Sequence, residues 1–114
     1  MLGSVGLGAA PSAWADDVVT YEVVSDRVAV AHVSWQDTTG RRFAYAALPW
    51  RADVAVREPL GPPPHGSQVR ADWLSSAYPG NWVTVRILYR GRVICQNTLD
   101  LGNATCYGIT PRIT

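Results

Sequence analysis

Val83-Thr84-Val85-Arg86-Ile87-Leu88-Tyr89, then Arg90-Gly91, then Arg92-Val93-Ile94-Cys95-Gln96-Asn97-Thr98, reads as two strands joined by a tight turn. Val83, Val85, Ile87 and Tyr89 alternate with Thr84, Arg86 and Leu88, the period-two pattern of a strand with one buried face. A helix would place apolar residues three and four apart, and that spacing is nearly absent from the chain. Arg90-Gly91 is short enough to fold the second run directly back on the first.

Working outward, the same pattern recurs between turn-forming residues. Residues 18–24 form a first candidate strand and residues 27–35 a second. The second places Ala29, Ala31, Val33 and Trp35 on one face and Val28, Val30 and His32 on the other, which suits a central strand. Asp37-Thr38-Thr39-Gly40 supplies a turn into a third strand at 41–48, stopped by Pro49. A fourth at 51–57 directs Ala52, Val54 and Val56 inward. The run Pro59-Leu60-Gly61-Pro62-Pro63-Pro64-His65-Gly66 cannot donate ladder hydrogen bonds at its prolines and reads as a loop or sheet crossover. A fifth strand at 67–74 precedes a turn-rich connection containing Tyr78-Pro79-Gly80. Cys106 lies on a short terminal segment that returns beside Cys95. About seven short strands separated by turn signals predict an all-β fold, an antiparallel, Ig-like β-sandwich; a small barrel is the alternative.

The chain has 114 residues, 47% of them hydrophobic, enough for one domain with one core. A net charge of +1 creates no field that would draw nucleic acid. At the start, Ala13-Trp14-Ala15 has the small-x-small form of a signal-peptidase site and follows an apolar Gly/Ala run. Residues 1–15 therefore read as the remnant of a signal peptide or of a membrane anchor, and 16–114 as an extracytoplasmic domain, secreted or held in the cell envelope. In such a compartment Cys95 and Cys106 read as a disulfide. They lack the partners of a zinc site and the spacing of a redox Cys-x-x-Cys.

Nothing in the sequence assembles a catalytic centre. His32 sits within an apolar strand and reads as a core or sheet-face residue, whereas His65 in the proline loop reads as exposed. Ser67, Ser75 and Ser76 have no nucleophile motif around them, the carboxylates are scattered, and neither a phosphate loop nor a metal-ligand spacing is present. The expectation is a protein without enzymatic activity or cofactor. The aromatics are more suggestive. Trp35 fits a core, while Trp50, Trp73, Tyr78 and Trp82 fall at strand edges or connections, where indoles and phenols form ligand or partner surfaces. Arg41, Arg42, Arg51 and Arg57 read as a solvated strand face. An open edge strand would let two copies pair as a homodimer.

Two stretches carry a resemblance. Val19-Thr20-Tyr21-Glu22-Val23 opens the fold, and Ala47-Leu48-Pro49-Trp50 follows the strand pair of 28–35 and 41–45. Together with Val83-Thr84-Val85-Arg86-Ile87 leading to Gly91, they resemble the soluble domain of the MmpS family, mycobacterial accessory proteins of MmpL-type lipid and siderophore exporters. The resemblance implies an extracytoplasmic β-sandwich with a C-terminal disulfide, an MmpL-type transporter as partner, and a lipid or siderophore as cargo. It brings no active-site residues. The chain departs from the family pattern in having Cys95 where a cysteine near Thr84 would be usual, and in its proline-rich loop.

Overall fold

Eight strands form in the computed structural model, which describes residues 17–74 and 80–109. They are β1 (Asp17–Val24), β2 (Val30–Asp37), β3 (Gly40–Ala47), β4 (Trp50–Val56), β5 (Gln68–Asp72), β6 (Val83–Tyr89), β7 (Arg92–Leu99) and β8 (Asn103–Tyr107). Two four-stranded antiparallel sheets result, one ordered β4-β1-β6-β7 and the other β3-β2-β5-β8. We refer to them as the first and second sheets. The fold is an antiparallel β-sandwich, and the short terminal segment around Cys106 is its eighth strand.

The core lies between the sheets and is divided unequally by size. The first sheet contributes Val19, Tyr21, Val23, Val83, Val85 and Ile87. The second contributes an alanine-rich floor in which Ala31 faces Ala46 and Ala71 faces Ala104, with Val33 and Val69 among them. Large residues opposite small ones let the two layers approach and fill the interior densely.

Tyr21 uses that arrangement to span the core. Its side chain is fully buried, and its hydroxyl donates to the Gln36 carbonyl at 2.7 Å while accepting from the Gln68 amide at 3.1 Å. Pairing between β2 and β5 covers four positions, from His32 with Asp72 to Trp35 with Val69. Gln36 and Gln68 lie immediately past the last of these. The phenol of the opposite sheet thus supplies the hydrogen bonds that a fifth rung would have made.

The flanks are closed differently. Cys95 on β7 and Cys106 on β8 form a buried disulfide that ties the edge strands of the two sheets together. Asn97 reinforces this flank by donating from Nδ2 to the Thr105 carbonyl at 3.3 Å. On the other flank, Leu48-Pro49 carries the chain between sheets, and Trp50 meets Trp35 with ring centroids 4.9 Å apart.

Two strand boundaries and one register differ from the sequence pattern for identifiable reasons. β2 starts at Val30, not at residue 27, because the Ser25 hydroxyl accepts from the amides of Arg27 and Val28 and holds them in a turn. β5 ends at Asp72, where pairing with β2 stops, although the Trp73 amide still donates at 2.9 Å to the carbonyl of Gly102, the next position opposite it on the β8 side. Within β7 the register shifts, so that Ile87 faces Cys95 while Leu88 faces Val93. Ile94 is the extra residue of a β-bulge, and Val93 is exposed while Cys95 is buried despite their shared parity. The signal-like stretch at 13–15 and Tyr78 lie outside the described residues.

Candidate functional site

The outward faces of the two sheets differ in kind. On the first, Arg51, Glu22, Arg86 and Gln96 stand in one row across β4, β1, β6 and β7. Glu22 takes both guanidinium groups, with Arg86 at 2.7 Å, and Arg86 Nε donates to Gln96 Oε1 at 2.7 Å. Thr20 donates to Asp53 at 2.6 Å, and the hydroxyls of Thr84 and Thr98 are 2.8 Å apart. These groups satisfy one another, as on a solvated face.

The second sheet turns aromatics outward. Tyr45, His32, Asp72 and Asn103 form one row across β3, β2, β5 and β8, and Phe43, Ser34, Arg70 and Thr105 form the next. Phe43 is 77% exposed and Tyr45 65%. His32 is also exposed, its ring 4.6 Å from that of Tyr45. Asp72 receives two hydrogen bonds from Arg70, both 2.9 Å, and this partnership raises the guanidinium above its usual pKa. The Ser34 hydroxyl accepts from Arg41 at 3.1 Å.

Two hollows open on this side and share His32, Tyr45 and Asp72. The smaller, about 310 Å³, lies over Ser34 and Phe43. The larger, about 530 Å³, runs from the shared residues past Val30 to Arg27, Trp73 and Leu74. Its origin is the short β2–β5 seam. Val30 and Ala31 pair with Ala47 and Ala46 of β3, but the seam with β5 begins only at His32. Beyond that rung Trp73 and Leu74 diverge from β2, and a groove fills the space. One end of the seam is thus bridged by Tyr21, and the other is open. The lining is mainly apolar, of a size that accommodates a small organic ligand.

The aromatics singled out in the sequence do not form one surface. Trp73 is 8% exposed and belongs both to the core and to the groove wall. Trp50 is half-buried against Trp35, and Trp82 is half-exposed next to the groove residue Asn81, its carbonyl accepting from Ser25 at 2.6 Å. Phe43 and Tyr45 were not singled out. Their signal was the alternation in Phe43-Ala44-Tyr45-Ala46, which separates two aromatics from two alanines, with the alanines taking the inward side. Among the described residues no three of His, Cys, Asp and Glu gather as a metal site, and no helix is long and apolar enough to cross a membrane.

No family model matches the chain, and no curated protein is significantly similar to it.

Proposed function

We propose that this chain is a non-catalytic binding module of an extracytoplasmic compartment, and that the groove at the open end of the β2–β5 seam receives a small apolar ligand. The observation that carries this reading is the asymmetry of the faces: one pairs its polar groups with one another and exposes only scattered valines, Val18 and Val93, whereas the other sets exposed Phe43 and Tyr45 beside a groove of about 530 Å³. The disulfide fits an oxidising setting. Titration with 1-anilinonaphthalene-8-sulfonate tests the proposal. Dye fluorescence should rise saturably with the wild type, fall away in Val30→Arg at the groove, and persist in Val18→Arg on the opposite face. Equal dye binding by both variants would remove the groove from consideration.

A second reading makes the same domain an accessory of an MmpL-type exporter of lipids or siderophores. Its support is that the resembling stretches occupy architectural positions: 19–23 lies in the internal strand β1, and Leu48-Pro49-Trp50 is the corner between sheets. Half-exposed Trp82 is then a contact residue, and Trp82→Ala should lower co-purification with the transporter without altering the melting temperature. Self-association would use an open edge, for which β3 offers eight residues with Phe43 and Tyr45 exposed.

A further inference from the structure

Each sheet ends in two edge strands, and of these β4, β7 and β8 are guarded against further pairing. β4 is entered through Pro49 and carries Arg51 and Asp53, β7 carries the bulge at Ile94, and β8 spans only five residues. β3 lacks these devices along most of its length. Its ladder with β2 runs from Gly40 to Ala47 without a register shift, it pairs with β2 alone, and from Phe43 to Ala47 it carries no charge. Two hydrogen bonds fix where its backbone groups point. The Leu48 amide donates to the Ala29 carbonyl at 2.8 Å, continuing the β2–β3 register, and the Gln36 carbonyl turns away from β3 to accept from Tyr21. Antiparallel neighbours exchange hydrogen bonds only at alternate residues. Arg42, Ala44 and Ala46 therefore bond to β2, whereas Arg41, Phe43, Tyr45 and Ala47 aim their amides and carbonyls at the open edge. The same four residues are exposed.

We propose that β3 pairs antiparallel with β3 of a second copy about a two-fold axis at Ala44, joining the two second sheets into one. Centred there, Arg41 lies opposite Ala47 of the other copy and Phe43 opposite its Tyr45, so every outward amide and carbonyl of both strands finds a partner. A two-fold centred on Phe43 or on Tyr45 leaves some of them unpaired. Opposed residues of an antiparallel pair share a face, and Phe43 of each copy meets Tyr45 of the other as a cross-strand aromatic pair. The charges favour a second copy in this orientation. Arg41 and Arg42 occupy one end of β3, and the two-fold sets them against the neutral Ala46–Ala47 end of the other strand instead of against each other. This rests on self-association through β3, to which it adds the register, and it is independent of what the groove binds. Tyr45 walls both hollows, so each copy lends a phenylalanine to the edge of the other's groove.

Sedimentation equilibrium and amide hydrogen exchange of the intact chain test the pairing. The protein should sediment as a monomer–dimer equilibrium. Phe43→Arg, a change at an exposed position, should raise the dimer dissociation constant at least about tenfold, whereas Val18→Arg on the first sheet should leave it unchanged. As concentration rises from micromolar to millimolar, the amides of Arg41, Phe43, Tyr45 and Ala47 should exchange at least about tenfold more slowly. Those of Arg42, Ala44 and Ala46, already bonded to β2, should change little. A dimer that resists Phe43→Arg, or that leaves the four outward amides unprotected, would overturn the β3 pairing and move self-association to another surface. A chain that stays monomeric at millimolar concentration would overturn the pairing and self-association together.

Discussion

Replacing Tyr21 with phenylalanine removes one oxygen atom and keeps the ring that fills the core. The loss leaves the Gln36 carbonyl and the Gln68 amide without the hydroxyl that joins them, at the place where strand pairing has just ended. Leaving buried backbone groups unpaired costs about 1–3 kcal/mol, so Tyr21→Phe should destabilise the domain by about 2 kcal/mol. Urea unfolding should show a lower midpoint with an unchanged slope, and the melting temperature should fall by roughly 8–16 °C. Burial also pushes the Tyr21 phenol up to about 12 from 10.0. Because the folded value is the higher one, the neutral phenol contributes its full stability below pH 10 and loses it between pH 10 and 12. Each tenfold step corresponds to about 1.4 kcal/mol, so that interval removes close to 3 kcal/mol from the wild type and nothing of this kind from Tyr21→Phe. The two stability curves should therefore converge above pH 10 and cross before pH 12. A loss below about 0.5 kcal/mol at pH 7, together with parallel curves to pH 12, would refute the bridging role.

The β2–β3 turn makes a similar prediction at the acid end. Asp37 accepts from the amides of Thr39 and Gly40 at 2.7 and 3.0 Å and from Arg42 Nε at 2.6 Å, and the arginine foremost holds its carboxyl well below the usual range. Asp37→Ala should cost about 1–2 kcal/mol at pH 7, and the deficit should shrink as pH falls below about 4, where the carboxyl of the unfolded chain takes up a proton that the folded one still refuses; chemical denaturation across pH tests this. Gly66→Ala would place a methyl group 1.8 Å from the Gly61 carbonyl oxygen, so the proline loop must shift, and we expect about 2–4 kcal/mol of destabilisation by urea titration. Gly91→Ala meets no atom within 4 Å and suffers only from its φ of +78°, so about 1 kcal/mol is expected. Reducing Cys95–Cys106, or replacing both residues with alanine, should remove about 2–3 kcal/mol, because 11 positions separate the cysteines and the open chain regains the entropy of that loop.

The strands were legible because alternation is a local property. Val83, Val85 and Ile87 on β6, and Val19, Tyr21 and Val23 on β1, declare their face without any knowledge of the partner. The groove was not legible, because it depends on where pairing between two distant strands stops. Nothing near His32 announces that Asp72 is the last residue opposite β2 on that side. Period-two reasoning also separates two faces without saying which is inward. In β3 the usual preference for buried aromatics would point Phe43 and Tyr45 inside, yet the bulk supplied by the first sheet leaves room only for Ala44 and Ala46. The bulge at Ile94 escaped for the same reason as the groove, since a surplus residue exists only relative to a partner strand.

The brevity of the β2–β5 seam has a mechanical consequence. Eight rungs join β2 to β3 and five join β5 to β8, but only four connect these two pairs. The second sheet is accordingly two stiff plates on a short pivot. The disulfide fastens the β5–β8 plate to the first sheet, whereas Leu48-Pro49 and the Trp35–Trp50 contact join the β2–β3 plate to it. Tyr21 holds one end of the pivot and the groove lies at the other, so they work as opposite ends of a see-saw. If the plates pivot about that seam, loosening the phenol at one end should change the aperture of the groove at the other.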